Sequence, residues 1–177
     1  MKRAIALLEK HNLLKIISDE LDINLEIPHI AYVEVKRPDS KAILFTNVVD
    51  RKNSKKFKEP VLMNVFCNED AVKLFIGDGD KIGSEIESLL KLKPPVTFSE
   101  KLSTLGKLFS LKNTIPKKIK GKGICQEVIK LGADAKLSDL PVIKTWEDDA
   151  GAFITMGQVY TQSLNGELKN LGMYRLQ

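Results

Sequence analysis

The sequence predicts an α+β fold, in which a small N-terminal α/β region precedes a β-rich region. Segments with helical and strand-like hydrophobic periods alternate until Pro94-Pro95 breaks the pattern. A lysine-rich stretch follows at 101–122, and the segments beyond it have strand-like patterns with a hairpin signal at Asn165-Gly166. We therefore expect an N-terminal domain at 1–97, a basic linker at 98–122 and a second domain at 123–177.

Length and composition are those of a soluble globular protein, with 177 residues, 43% hydrophobic and 29% charged. No apolar run approaches the ~20 residues that span a bilayer, and charges return at Glu9 and Lys10, too early for a secretory signal. We predict a cytoplasmic protein. Cys67 and Cys125 have no CxxC partner, which favours two reduced, buried cysteines over a disulfide or metal pair.

The N-terminal region begins with an amphipathic helix in "KRAIALLEKH", followed by the apolar stretch "NLLKIIS". Asp22 or Asn24 is expected to cap a second helix within "DINLEIPHIAYVEVK". "KAILFTNVV" and "EPVLMNVFCN" are almost continuously hydrophobic and rich in β-formers, which predicts strands covered on both faces. A polar loop, "DRKNSKKFKE", separates them.

Two further helices are predicted in "NEDAVKLFIG" and "DKIGSEIESLLKLK", with Asn68 and Asp80 as N-caps. The glycines of "GDGDKIG", at 77–83, suggest a phosphate loop, but the GxxxxGK[ST] pattern is absent and aspartates would repel phosphate. A turn followed by a helix cap is the favoured interpretation. His11 and His29 have no ligand partners at metal-site spacing, so both are interpreted as structural.

The net charge of +5 is concentrated in one segment, because residues 101–122 hold seven lysines and no acidic residue. This segment has no arginine and only Phe109 as an aromatic side chain, so it lacks the stacking groups of a nucleic-acid groove. A solvated linker is favoured, weak association with an anionic membrane surface is the main alternative, and nucleic-acid binding is the least favoured.

Three strands are predicted in the C-terminal region, within "GICQEVIKLG", "AGAFITMGQVYTQ" and "ELKNLGMYRLQ". The Asn165-Gly166 dipeptide predicts a hairpin turn between the last two. Three strands with one hairpin cannot close a barrel or bury a proper core. We therefore expect this domain to be incomplete.

The stretch from Leu137 to Gln177 resembles the start of the central domain of the UbiD-like carboxy-lyases, the decarboxylases related to 3-polyprenyl-4-hydroxybenzoate carboxy-lyase. Many uncommon residue types occur in the family's order over about 40 residues, which makes the match specific. The N-terminal region matches more loosely. The matched positions are Leu140-Pro141, Trp146, Asp148-Asp149, Ala150-Gly151, Phe153-Ile154-Thr155, Gly157, Asn170, Gly172, Tyr174, Arg175 and Gln177.

The resemblance implies a split β-barrel that binds prenylated flavin mononucleotide (prenylated FMN) with a divalent metal, usually Mn²⁺, and a monovalent cation such as K⁺. It makes Asn170 a metal ligand and places Met173, Tyr174 and Arg175 along the flavin. Arg175 would also hold the substrate carboxylate and the charge network of the catalytic acids, because guanidinium grips carboxylates in a bidentate fork. Trp146, Asp148 and Asp149 are matched only as framework of the motif.

The family's remaining metal ligands, a histidine and a glutamate, and its pair of catalytic acids have no counterpart in this sequence. The resemblance therefore implies the N-terminal portion of a homo-oligomeric decarboxylase, inactive by itself. The expected substrate is an aromatic or unsaturated acid, with 3-polyprenyl-4-hydroxybenzoate as the default and a naphthoate of menaquinone synthesis as the runner-up. The alternative is a non-catalytic assembly or membrane-docking module that reuses the fold.

Asn170 and Arg175 are five residues apart in a predicted strand, and odd spacing places side chains on opposite faces. If both side chains bind one ligand, the alternation of side chains between the two faces of the strand must be interrupted between them. Glycine often marks such an interruption, so we predict a β-bulge at Gly172 that frees the amides of Met173 and Tyr174.

Overall fold

The computed structural model describes residues 1–91 and 120–177, apart from the side chain of Cys125. The chain divides into two units, one formed by Met1–Gly77 with Lys136–Gln177 and the other by Asp78–Ala135. The helices are α1 (Lys2–Lys10), α2 (Glu26–Val35), α3 (Glu69–Ile76) and α4 (Gly79–Leu90). The strands are β1 (Leu14–Asp22), β2 (Ala42–Asp50), β3 (Lys55–Lys56), β4 (Val61–Met63), β5 (Ile154–Gln162) and β6 (Lys169–Leu176).

This mixture of helices and small sheets confirms the predicted α+β class. The predicted boundary at 97 and most of the linker at 98–122 lie outside the described residues. The division into three segments therefore stays a prediction.

Strand β2 is the centre of the first sheet, parallel to β1 and antiparallel to β3 and β4. It is buried along almost its whole length, as its continuous hydrophobicity predicts. The apolar stretch after α1 forms β1, and β3 occupies part of the predicted polar loop. The core around this sheet consists of Ile23, Ile27, Ile43, Phe45, Val48, Phe57, Val61 and Ile143.

The strand predicted over "EPVLMNVFCN" is confirmed only for Val61–Met63. Asn64 adopts φ 56°, in the left-handed region that a strand cannot continue through. Its side-chain amide donates to the carbonyl of Ala31, which ties the turn to α2.

Helix α2 begins without the cap that the sequence predicts, so the prediction for Asp22 and Asn24 is wrong. The N-cap is Leu25, at φ 69°, and its side chain makes no capping hydrogen bond. The Asp22 carboxylate instead accepts from the backbone N–H of Asn24 at 2.9 Å. Glu26 Oε2 accepts from the backbone N–H of Asp22 at 2.8 Å, so the first helical residue secures the preceding strand end.

Asn68 caps α3 as predicted, with Oδ1 accepting from the N–H of Ala71 at 2.9 Å. Its Nδ2 also donates to the Ser40 carbonyl at 2.8 Å. The Ser40 hydroxyl donates to the Cys67 carbonyl, closing a buried connection between the start of α3 and the entry to β2. Cys67 is buried and free, as predicted, and burial raises the pKa of its thiol.

The unit Asp78–Ala135 contains α4 and short 3₁₀ turns. The turn-plus-cap interpretation of "GDGDKIG" is confirmed, but Asp78 rather than Asp80 is the cap, accepting from the N–H of Asp80 and Lys81. The strand predicted over "GICQEVIKLG" is wrong, because the segment forms a 3₁₀ turn at Ile124–Gln126. No ladder partner is present for it among the described residues, and Ile124 and Val128 are exposed.

Residues that follow this unit return to the first sheet. Lys144 forms a parallel bridge with Asn24, and Ile143 forms an antiparallel bridge with Phe153. Ile143 is only 6% exposed and belongs to the core around β2. The chain that leads into β5 is therefore fixed to the N-terminal core just before the hairpin begins.

Candidate functional site

The candidate site lies on the hairpin of β5 and β6, which forms a separate antiparallel two-stranded sheet. Asn165 and Gly166 lie in the turn, with Gly166 at φ 75°, which confirms the predicted hairpin signal. The turn is closed by hydrogen bonds from the N–H of Gly166 to the Ser163 carbonyl and from the N–H of Ser163 to the Leu168 carbonyl, both 2.9 Å. The sheet is not a closed barrel.

The bulge predicted at Gly172 is wrong. The register runs without interruption from Lys169, opposite Gln162, to Tyr174, opposite Gly157, with Gly172 paired to Val159. The irregularity is on the other strand, between Ile154 and Gly157. Two residues of β5 there oppose a single residue of β6, and that residue is Arg175.

Strand alternation therefore keeps Asn170 and Arg175 on opposite faces of β6. Asn170 shares its face with Gly172 and Tyr174, whereas Arg175 shares the other with Met173. All four predicted site residues, Asn170, Met173, Tyr174 and Arg175, are exposed. In the described ranges no strand pairs with the outer edge of β6, so both faces of the strand border one open edge.

The guanidinium of Arg175 lies over the ring of Phe153, with Cζ 4.3 Å from the ring centroid. Within residues 1–91 and 120–177, no hydrogen bond or ion pair involves its N–H groups. Stacking uses the flat face of a guanidinium and leaves the N–H donors at its edge available. The family motif matches Phe153, but sequence reasoning gave it no role, since the only signal was its position in that motif.

The ring of Tyr174 covers Gly172. A Cβ atom at Gly172 would lie 2.3 Å from Cε2 of Tyr174 and 2.8 Å from its Cζ, a distance that side chains do not tolerate. Glycine at this position therefore leaves room for the tyrosine ring to lie along the strand. The atoms that come close to Gly172 therefore belong to the Tyr174 side chain and not to the backbone of the paired strand.

The matched framework residues lie apart from this strand. Trp146 contacts Tyr32 of α2 edge-to-face, with centroids 5.5 Å apart and planes at 76°. Asp149 Oδ2 accepts from the N–H of Trp146 at 3.0 Å, so this carboxylate closes the local turn. The segment and α2 border an open groove of ≈ 770 Å³, whose lining includes His29 and Asp148. His11 lies at the C-terminal end of α1.

Buried carboxylates outside the hairpin have structural partners. Asp22 and Asp50 end the parallel strands β1 and β2, and the Asn24 amide donates to both, at 3.2 and 3.4 Å. Arg51 pairs with Glu26, and this hydrogen bond, together with the N–H of Asp22, lowers the pKa of the Glu26 carboxyl. Since their hydrogen bonds join the strand ends to α2, we interpret these carboxylates as parts of the fold.

Nothing in the described part of the chain forms a complete metal site, since no three His, Cys, Asp or Glu side chains converge there. Asn170 could supply one amide oxygen, a hard donor suited to Mn²⁺. Arg175 could bind an anion through its N–H edge. Among the helices described, none is long and apolar enough to cross a membrane.

Comparison with known sequences identifies both regions of the chain. Residues 5–90 match the family model for the 3-octaprenyl-4-hydroxybenzoate carboxy-lyase N-terminal domain. Residues 117–177 match the model for the Rift-related domain of the same carboxy-lyase. An uncharacterized protein of Helicobacter pylori is 44% identical over 182 residues, covering 100% of this chain, and one of Aquifex aeolicus is 38% identical over 173 residues, covering 96%. The chain spans 29% and 34% of the lengths of these relatives.

Solved structures show the same fold at low sequence identity. Vanillic acid decarboxylase of Sedimentibacter hydroxybenzoicus, in an open form with truncated ShVdcD, gives a TM-score of 0.66 at 18% identity, covering 99% of this chain and 35% of that one. An evolved dimeric form of the UbiD-class enzyme HmfF from Pelotomaculum thermopropionicum, in complex with prFMN, gives a TM-score of 0.54 at 21% sequence identity. The match covers 99% of this chain and 35% of that one. Two models of one family thus account for most of the sequence, and the fold agrees with them: the chain belongs to the UbiD-like carboxy-lyase family.

Proposed function

We propose that this chain forms the N-terminal part of a non-oxidative decarboxylase that uses prenylated FMN and a divalent metal, with Asn170 and Arg175 contributing to the site. One observation carries the proposal: Asn170 and Arg175 are both exposed on an edge strand. Among the described residues, neither side chain has a hydrogen-bonding partner. Polar side chains without protein partners beside an open edge are free to bind a ligand.

The opposite orientation of Asn170 and Arg175 constrains where a shared ligand would bind. A ligand confined to one face of β6 would meet only one of the two side chains. A ligand lying across the open outer edge would be reached from both faces, and alternate backbone amides of an edge strand also point there. We therefore infer that the flavin and its phosphate lie along this edge, next to Met173 and Tyr174.

These residues fit the proposed cofactor only as part of a larger site. Asn170 offers one metal ligand, whereas Mn²⁺ requires several oxygen or nitrogen donors. The missing donors would come from residues beyond this chain. K⁺ at the flavin phosphate is proposed on the family resemblance alone.

Arg175 would hold the substrate carboxylate by donating two parallel N–H bonds, which orients the carboxyl group before it leaves. The prenylated flavin, when bound, would supply the electron sink for decarboxylation. The substrate is proposed to be an aromatic or unsaturated acid, 3-polyprenyl-4-hydroxybenzoate by default. The relatives with solved structures support this class, because one of them is a vanillic acid decarboxylase.

Variants of the full-length protein test the two roles separately. Asn170→Ala should lower the metal and flavin content per protomer, because a ligand to the metal is lost. Arg175→Ala should retain the flavin and reduce turnover by at least about 100-fold, the scale expected for removing a group that orients the reacting carboxylate. Lys169→Ala, an exposed cation on the same strand, is the matched control and should change neither. Normal flavin content and normal turnover in both site variants would contradict the assignment.

The wider setting follows from the family and the charge distribution. We propose a homo-oligomeric enzyme in the cytoplasm, and one solved relative is described as a dimeric form. Association with anionic membrane would be weak and salt-sensitive, since the seven lysines are spread over residues 101–122, almost all outside the described ranges. Nucleic-acid binding is not part of the proposed function.

A further inference from the structure

Among residues 1–91 and 120–177, the Arg175 guanidinium contacts the ring of Phe153 and makes no hydrogen bond or ion pair. Cζ lies 4.3 Å from the ring centroid, within the range of a cation–π interaction. An arginine oriented by a carboxylate would spend two of its five N–H donors on that partner. An arginine that lies flat on a ring keeps its N–H donors for other partners.

Phe153 is itself held in place by the N-terminal core. Its backbone N–H donates to the Ile143 carbonyl at 2.9 Å, and Ile143 is 6% exposed within the core around β2. The Phe153 side chain is half-buried. The backbone that carries the ring is therefore attached to the buried core, although Arg175 itself is exposed.

The backbone register brings the two side chains together. Ile154 pairs with Leu176, so Phe153 comes next to the end of β6, diagonal to Arg175 on the same face. The β-bulge on β5 lies directly opposite Arg175. Bulges are common next to active sites, where they re-aim a side chain.

We propose that Phe153 is a positioning residue, which stacks on the Arg175 guanidinium and presents its N–H edge to the carboxylate of the substrate. The inference rests on the proposed function, because it assigns a support to the proposed carboxylate clamp. A free arginine side chain loses substantial rotamer entropy when it binds. The ring reduces that loss by restricting Arg175 before the ligand arrives.

Calorimetric binding of benzoate and of its neutral analogue benzamide to the full-length protein tests the proposal. Phe153→Leu should weaken benzoate binding about two- to fivefold, the range of one exposed cation–π contact, and leave benzamide unchanged. Phe153→Met, which fills similar space without a ring, should behave like Phe153→Leu. Phe153→Tyr should retain the affinity of the parent protein. Tyr32→Leu removes another cation–π contact, in which Lys36 Nζ lies 5.0 Å from the ring centroid, and should leave benzoate binding unchanged.

A double-mutant cycle separates the failure of this inference from failure of the proposed function. In an Arg175→Ala background, Phe153→Leu should cause no further loss of benzoate affinity, because the ring acts through the arginine. If Arg175→Ala weakens benzoate binding but Phe153→Leu and Phe153→Met do not, the positioning role is wrong and the clamp survives. Equal loss of benzoate and benzamide would also overturn it, since the ring would then be a general support. A parent protein that does not distinguish benzoate from benzamide, or an Arg175→Ala variant with unchanged affinity, would overturn the clamp and the inference together.

Discussion

Gly172 has a steric role beside the proposed flavin. The ring of Tyr174 occupies the space that a Cβ at Gly172 would need, although the ladder at Gly172 is regular. A glycine in a strand can therefore provide space for a neighbouring side chain without any bend in the backbone. Since Tyr174 is proposed to line the flavin, the size of residue 172 controls the shape of the binding surface.

Gly172→Ala should displace the Tyr174 ring, because the added Cβ would lie 2.3 Å from Cε2. A crystal structure of the full-length variant would show the changed side-chain torsion. Gly83→Ala is the control, since nothing lies within 4 Å of the added Cβ, and it should leave Tyr174 unchanged. A tyrosine ring that keeps its present position in the Gly172→Ala variant would contradict this account.

Single residues also show where prediction from sequence reached its limit. Asn68 was recognisable as a cap because the acceptor and the helix start are adjacent in the chain. The proposed site residues Asn170 and Arg175 were identified from a motif resemblance, since by type alone they are ordinary surface side chains. The stack of Arg175 on Phe153 joins residues 22 positions apart, and local patterns carry no information about such a contact.

At the scale of elements, α3 depends on one residue that makes two hydrogen bonds. Asn68 accepts from Ala71 and donates to Ser40, so it both starts the helix and attaches it near the entry to β2. Asn68→Ala should destabilise α3 by about 1 kcal/mol from the lost cap. Asn68→Asp keeps the acceptor and loses the donor, so it should preserve most of the cap. Hydrogen exchange of the α3 amides measures both, and equal protection in the parent protein and Asn68→Ala would contradict the capping role.

Strands were predictable only where their own sequence was decisive. Strand β2 is almost continuously apolar and buried, and its prediction was confirmed. The segment "GICQEVIKLG" mixes apolar residues with Gln126, Glu127 and Lys130, and it forms a 3₁₀ turn, because a strand requires a ladder partner and none is present among the described residues. The bulge was predicted in the right hairpin but on the wrong strand, since its position depends on the pairing of β5 with β6.

At the scale of the whole molecule, the N-terminal core and the candidate site are directly connected. Ile143 belongs to the core around β2, and its carbonyl accepts a hydrogen bond from the N–H of Phe153. The ring of Phe153 in turn contacts the guanidinium of Arg175. The hairpin that carries the site has exposed apolar side chains on both faces, including Leu171, Met173 and Tyr174. A two-stranded hairpin is marginally stable by itself, so we expect further protein to cover it in the full-length protein.

We propose that this chain supplies only part of a site for prenylated FMN and a divalent metal. Equilibrium dialysis against prenylated FMN and Mn²⁺, run in parallel on the 177-residue chain and on the full-length protein, tests it most directly. We expect the full-length protein to retain one flavin per protomer and the 177-residue chain to retain none at micromolar concentrations, because one amide and one guanidinium are too few groups to hold a metal ion and a flavin phosphate. Micromolar or tighter retention by the 177-residue chain, or no retention by the full-length protein, would contradict the account.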